Sequence, residues 1–569
     1  MMNFGTLGNA TDSARYYTKG NDELIDSPYL PQYHGNAAEL LGIKGENVTY
    51  DNLKSLLHNH DPTSGKQLTA VMNAKRIPGY EIGFSVPKSV SIMSAFGDDR
   101  IVGAFDRAVT ATMNAMERDA AIRVRKAGAD HNRTSFNLLW ADVTHRLSRP
   151  VDTVAYPQLH KHIVMPNISM DFPEGKWKAL QLRPIRDRAP LFEGMYFHRL
   201  AVEIHKLGYD IAPNEKSFEI AGVPQAAIAE MSQRQKQINA VAEKYNITNP
   251  NTRNRITASH RDKKIGSMDW QQLRAAWNDR ISTSDQKRIE TTRRASLTTS
   301  QHPPPIQSDY YFSEAFKALS ETHSVIPLDK VMAHALKTGL HQVTEKGIRQ
   351  QAQQPLWIKR TIDGKLFVTD RDMLRREMQL VGMVKQSRGG HEKLGHDSHH
   401  VPSWQKAQNK ALQKTLASRD KFTSMSGVVG AIKKQTHAAI TEASSRVVVI
   451  SSAAKLGGVD VADVRHKTLV IDQAHTLGFR QMESLITKLA GVDTRVVFLS
   501  PNKKKDRGNA LGILEDNGMR TANIVSYLKA KPKTYRPPLL KRAMQFLRFQ
   551  LTKEKTQHYA QEPSRSYQR

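Results

Sequence analysis

The chain has 569 residues, too many for one compact core; roughly three or four domains are expected. Its 84 lysines and arginines outnumber its 55 acidic residues by 29, an excess spread along the sequence that points to a polyanion, usually nucleic acid. There is no cysteine, which excludes disulfides, thiolate nucleophiles, cysteine zinc sites and iron–sulfur clusters; no leader-like N-terminus or membrane-length apolar run is present, so a cytoplasmic protein without membrane insertion is expected.

Thr11, Asp12 and Ser13 are helix-capping residues that place Tyr16 and Tyr17 in the first turns of a short helix. Adjacent tyrosines usually pack against a neighbour. The functional alternative is a nucleophile for phosphorus, which needs the phenol proton removed and the phosphate polarised. From Pro78 to Met93 the pattern is a strand, Tyr80 to Phe84, then a helix with Pro87 in its first turn. Glu81 in that strand is either edge decoration or the acceptor for the N–H of a metal-bound histidine. Lys88 and Ser89, at the helix start, are placed for a backbone phosphate, but the glycine that a Walker A loop needs before its lysine is missing. A long helix is expected from about 99 to 126.

Phe136 to Thr144 is an apolar run ending at His145. Leu159 to Met165 is a second, bounded by prolines and read as a strand. Alternate strand residues share a face, so His160 and His162 lie together. Antiparallel pairing of the two runs would bring in His145. Three imidazoles leave part of a metal's coordination sphere free for chemistry, although an isolated H-x-H is more often two ordinary polar positions.

Further on, Phe192, Tyr196, Leu200, Ile204 and Leu207 form one apolar helix face, stopped by Gly208. Residues 224–300 are polar, basic and helical; Trp270 and Trp277 share a face there, for packing before base stacking. Gln301-His302-Pro303-Pro304-Pro305 is a linker. Helices near 312–322, 327–338 and 344–353 followed by a hairpin about Asp363-Gly364 describe a small winged-helix-like unit. The histidine-rich run from His391 to His400 reads as a solvated loop rather than a second metal site. From 420 to 530 strands and helices alternate. Leu469 to His475 is like a Walker B strand with a degenerate D-E-A-H box, yet Gly427 to Gln435 lacks the G-K-[ST] of a phosphate loop and Gln473 stands where a glutamate would activate water. This is a RecA-like pattern without the residues for ATP hydrolysis.

Taken in order, Tyr16-Tyr17, His34 to Gly42, Gly79 to Ser91, His145 with Ser148-Arg149, Pro157 to His162 and Gly175-Lys176-Trp177 resemble the MOB-F conjugative relaxases of the TrwC/TraI relaxase–helicase type. The stretch from Leu469 to Leu514 is similar to that family's degenerate first helicase domain.

The resemblance implies an α+β relaxase domain over 1–300, with an antiparallel palm-like sheet and a histidine-triad metal site. A linker and winged-helix-like unit would follow over 301–376, a degenerate RecA-like domain that binds single-stranded DNA over 377–530, and a basic tail over 531–569. It implies that His145, His160 and His162 hold a divalent ion, Mg²⁺ or Mn²⁺ ahead of Zn²⁺ or Ni²⁺, on the scissile phosphate at a plasmid transfer origin. Tyr16 or Tyr17 would attack to leave a 5′-phosphotyrosyl link, with Glu81 as orienter or base and Lys88, Arg149 and Lys161 on DNA. Expected partners are relaxosome accessory proteins, a coupling protein and a type IV secretion machine, with passage into a recipient cell alongside the DNA. The competing expectation is a non-catalytic single-stranded DNA-binding relaxosome or replication accessory.

The sequence departs from the family in three places. Asn21 to Leu24 occupy the position of a second tyrosine pair, leaving Tyr29 or Tyr33 as substitutes. Glu81 replaces the family's aspartate, and the segment from His145 to His160 is slightly longer. No complete motor domain is expected, so a helicase would be a separate protein.

Overall fold

The structure, a computed structural model, describes residues 2–19, 30–72, 75–126, 128–151, 153–247, 268–299, 305–395, 401, 404, 406–444, 446–451, 460–501 and 509–524. They fall into two compact units, one drawn from Met1–Ala315 and Asp329–Ala352, the other from Phe316–Leu328 and Gln353–Arg569. Tyr29, three histidines of the run that begins at His391 (His396, His399 and His400), and the basic tail lie outside the described residues. Among the described residues no helix is long and apolar enough to cross a membrane.

The first unit is built on strands β1 (Met2–Thr6), β2 (Tyr33–His34), β3 (Gly79–Ser85), β4 (Trp140–Leu147) and β5 (Pro157–Pro166). They pair antiparallel in the order β1-β3-β5-β4-β2. One face is covered by helices α1 (Ala10–Lys19) and α2 (Tyr50–Leu57), whose Ala14, Tyr17, Leu53, Leu56 and Leu57 pack with Val143 and Val164 of the sheet. Helix α2 begins where it does because the Thr49 side chain accepts the Asn52 amide. On the other face lie α3 (Lys88–Ala95), α4 (Arg100–Glu117) and α5 (Ala189–Lys206). There Tyr196 of α5 meets Phe84 and Phe105 with ring centroids 5.0 and 6.3 Å apart. The apolar stripe of α5 is buried, and Gly208 ends the turn at φ 95°, where a side chain would run into the Ser296 carbonyl.

Two local expectations change. The helix expected from 99 to 126 stops at Glu117; Ala121–Lys126 is a strand paired with Ala129–Thr134. The period tells them apart: Ile122 and Val124 are buried while Arg123 and Arg125 are exposed, an alternation of two that a helix cannot satisfy. Pro87 caps α3 from outside instead of entering its first turn. The tryptophan pair is packing, as expected: helix Trp270–Asn278 opens with an Asp269 capping box, and the buried Trp277 indole donates to the Ala155 carbonyl at 2.9 Å.

The segment after the linker is divided between the units. Helices Leu328–Gly339 and Glu345–Gln353 lie mainly in the first unit, where Arg188 pairs with Asp329 (2.8 Å) and Arg199 with Glu345 (2.6 Å). The hairpin Ile358–Ile362/Lys365–Thr369 and the short strand Ile326–Pro327 form a three-stranded sheet in the second unit.

The second unit holds a wholly parallel sheet of β6 (Phe422–Ser426), β7 (Val447–Ile450), β8 (Thr468–Ile471), β9 (Arg495–Ser500) and β10 (Arg520–Asn523), in the order β7-β8-β9-β6-β10. Helices α6 (Gly430–Ala443) and α7 (Phe479–Leu489) contribute to two apolar clusters, one on each face. Burial on both faces explains the uninterrupted apolar runs of β8 and β9.

Candidate active site

The β4–β5 register sets His145 directly opposite His160 and Val143 opposite His162, so all three histidines project from one face of the sheet. Their ring centroids stand 5.2 Å (His145–His160), 5.3 Å (His145–His162) and 5.1 Å (His160–His162) apart. An imidazole bound through nitrogen at about 2.1 Å puts its centroid roughly 3.2 Å from the ion, so rings sharing an ion are about 4.6–5.3 Å apart. The observed spacings fit that range. The rings are gathered but not closed: among the described residues, no three His, Asp or Glu side chains converge as a finished ion site.

Two of the rings are oriented through Nδ1. His160 Nδ1 lies 2.8 Å from the Gln158 carbonyl, and His162 Nδ1 lies 2.5 Å from Glu81 Oε1. These contacts leave Nε2 as the nitrogen for a metal. Burial, reinforced by the neighbouring His162, pulls the His160 pKa down to about 4, so this ring is neutral at physiological pH, the ligating form. Burial opposes ionisation of Glu81, but hydrogen bonds from His162 and Tyr17 outweigh it and hold the carboxyl below its ordinary pKa. The extra methylene of this glutamate is thereby accommodated: one carboxylate reaches both groups.

Helix α1 brings the tyrosines to the same place. Their rings meet edge to face at 4.9 Å and lie 6.5 Å (Tyr16) and 5.8 Å (Tyr17) from the His162 ring. Their environments differ. Tyr17 is 5% exposed, packed in the core, and its hydroxyl bonds to Glu81; burial first, then the Glu81 charge, push its pKa well up. Tyr16 is 49% exposed. Tyr33 is fully buried, with no hydrogen-bond partner for its hydroxyl among the described residues, so it is core and not a second nucleophile.

Two of the three cations expected on DNA are elsewhere. Lys161 is 3% exposed and bonds to Asp106 and Asp142. Strand alternation requires this: a residue between two site-facing histidines points to the opposite face. Asp142 also meets His34 Nε2 at 3.2 Å, so the ammonium sits inside a buried charge network. Lys88 donates to the Pro157 carbonyl at 2.7 Å and Gln158 Oε1 at 3.0 Å, and burial lowers its pKa to about 8. It anchors the segment leading into His160 and is not presented to a phosphate. Arg149 is half-buried on the segment joining β4 to β5. The contribution of Gln158 was missed from sequence; its place two residues before His160, on the same strand face, was the available signal.

In the second unit Asp472, at the end of β8, pairs with Lys433 of α6, and Gln473 adopts a left-handed φ of 50°. The amides of Gly427 and Val428 both donate to the Ser500 carbonyl, at 3.0 and 3.1 Å. Lys433 and the amides of Gly427 and Val428 are therefore engaged within the protein.

Residues 7–284 match the TrwC relaxase family model. The chain is 24% identical over 571 residues to the multifunctional conjugation protein TraI of Escherichia coli, and 24% identical over 575 residues to its counterpart from strain K12, covering 92% of this chain in each case. It spans about a third (32%) of the length of these curated relatives. Similar solved structures include the conjugative relaxase TrwC in complex with oriT DNA. The metal-free form is 27% identical, with a TM-score of 0.44, covering 49% of this chain and 97% of that one. The metal-bound form is 26% identical, with a TM-score of 0.45, covering 51% and 98%.

Proposed function

Since its residues 7–284 place this chain in the TrwC relaxase family, of the TrwC/TraI type, we propose that it is a conjugative relaxase that nicks one strand of DNA at a plasmid transfer origin. The observation that carries this reading is the meeting of three imidazoles with an exposed phenol on one sheet face.

Tyr16 is the nucleophile in this reading, because a group that attacks a phosphate in DNA must be reachable and Tyr17 is buried. The Tyr16 oxygen forms a bond to phosphorus as the bond to the 3′ oxygen breaks. The phenolic proton is lost, and the departing oxygen ends protonated as a free 3′-hydroxyl. One phosphodiester replaces another, so the reverse attack by that hydroxyl reseals the strand without ATP. Tyr17 and His162 fix Glu81 between them, and Glu81 in turn holds the His162 ring in its tautomer. A divalent ion held by His145, His160 and His162 would polarise the scissile phosphate. Imidazole donors favour Zn²⁺, Mn²⁺ or Ni²⁺, whereas cellular abundance favours Mg²⁺. Arg149 remains the candidate phosphate contact.

The test is cleavage of a single-stranded origin oligonucleotide with and without a divalent ion. Metal-dependent nicking with a covalent protein–DNA product is expected from wild type and not from Tyr16→Phe.

The second unit is read as a degenerate RecA-like domain that binds single-stranded DNA. Engagement of Lys433 by Asp472, and of two loop amides by Ser500, supports a unit that does not hydrolyse ATP; DNA-stimulated ATP hydrolysis should be undetectable. Relaxosome proteins, a coupling protein and a type IV secretion machine complete the proposed setting. Action would begin in the cytoplasm, followed by passage with the DNA into a recipient cell.

A further inference from the structure

Remote from the sheet histidines, the first unit contains a second imidazole pair. His205 is in the last turn of α5, and His341 is in the 3₁₀ turn Leu340–Gln342 that follows helix Leu328–Gly339. Their ring centroids are 4.6 Å apart, with an interplanar angle of 42°. His341 Nδ1 is buried and has no hydrogen-bond partner among the described residues. His205 Nδ1 faces the Tyr209 carbonyl at 3.3 Å, a contact that sets a tautomer as backbone carbonyls do behind metal-bound histidines. Burial lowers the His341 pKa to about 4, with His205 and His198 adding to the effect and Asp210 opposing it. His198 itself is turned away, its Nδ1 on the Leu340 carbonyl at 2.6 Å.

We propose that His205 and His341 form a second transition-metal site, taking an imidazole-preferring divalent ion such as Zn²⁺, Ni²⁺ or Cu²⁺. The spacing matches two rings on one ion at near-right-angle coordination, about 4.6 Å. A close ring pair with one orphaned buried nitrogen, His341 Nδ1, is a poor resting arrangement, and it is corrected by a shared Lewis acid. No third His, Asp or Glu closes on the pair among the described residues, so water completes the shell and the site is exchangeable. Its consequence is structural. It would fasten the end of α5 to the segment beyond the linker, which already docks through Arg188–Asp329 and Arg199–Glu345. The inference does not depend on the nicking reading.

The experiment counts bound Zn²⁺ and Ni²⁺ per full-length chain by equilibrium dialysis. Wild type should bind one ion more than His341→Gln and one more than His205→Gln; an unchanged count in either folded variant overturns the site. A readout without variants covers misfolding: carbethoxylation of wild type mapped by mass spectrometry. Zn²⁺ should protect His205 and His341 at least fivefold, and equal modification with and without metal overturns the proposal.

Discussion

Glu81 accepts a 2.5 Å hydrogen bond from His162 and also receives the Tyr17 hydroxyl. One carboxylate thus ties the helix bearing the tyrosines to the strand bearing two of the histidines. Replacing it with glutamine keeps the shape but removes the charge that holds the His162 ring. Loss of such a partner typically lowers metal affinity or activity about 10–100-fold. Glu81→Gln should therefore raise the metal concentration needed for half-maximal nicking by at least tenfold, read in a metal titration, and excess ion should partly restore the rate.

The two tyrosines should separate cleanly. Tyr16→Phe removes the exposed phenol and should abolish covalent adducts without altering thermal unfolding. Tyr17→Phe loses one hydrogen bond to Glu81 and should still form adducts, more slowly. Adducts that survive in the first variant and vanish in the second would reverse the assignment.

Lys161 is held between Asp106 and Asp142 beneath the sheet. Lys161→Met removes the buried ammonium from between Asp106 and Asp142, leaving Asp142 with His34 as its side-chain partner, and should destabilise the first unit by about 3 kcal/mol, measured by urea unfolding. Because the ammonium meets no phosphate, the salt dependence of single-stranded DNA binding should keep its wild-type slope. A slope reduced by about one counterion would return Lys161 to the DNA.

Glu377, in helix Arg371–Gln386 of the second unit, is buried and hydrogen-bonded by Ser324. Burial raises its pKa from 4.5 to about 7. A folded pKa above the unfolded one means stability that is complete below pH 4.5 and is lost as pH rises through about 7. Over that window the second unit should lose about 3 kcal/mol from this group. Glu377→Gln should flatten the decline in urea titrations from pH 4 to 8; an unchanged slope would show that another group titrates.

The site was legible because strand chemistry is periodic. His160 and His162 share a face by alternation, and two apolar runs close in sequence made antiparallel pairing with the strand that carries His145 an available expectation, which the β4–β5 register shows. The same alternation, applied to the residue between them, sends Lys161 to the opposite face; treating all motif cations as DNA contacts overlooked it. Lys88 was misplaced for a different reason, since its partners at Pro157 and Gln158 are about seventy residues away in sequence. The helix expected to reach 126 overran because Arg118 to Ala120 contain neither proline nor glycine, and only the Ile122/Val124 alternation marks the change. The order of the parallel sheet, with its first strand between the fourth and fifth, depends on long-range pairing that no local pattern encodes.

As the proposed nucleophile, Tyr16 becomes bonded to DNA beside the three histidines. Mass spectrometry of the peptide left on a cleaved origin oligonucleotide tests it most directly. A nucleotide-modified fragment containing Tyr16, formed only with a divalent ion present, is the expected result. Cleavage that leaves no adduct, or an adduct on a residue outside helix α1, would contradict it.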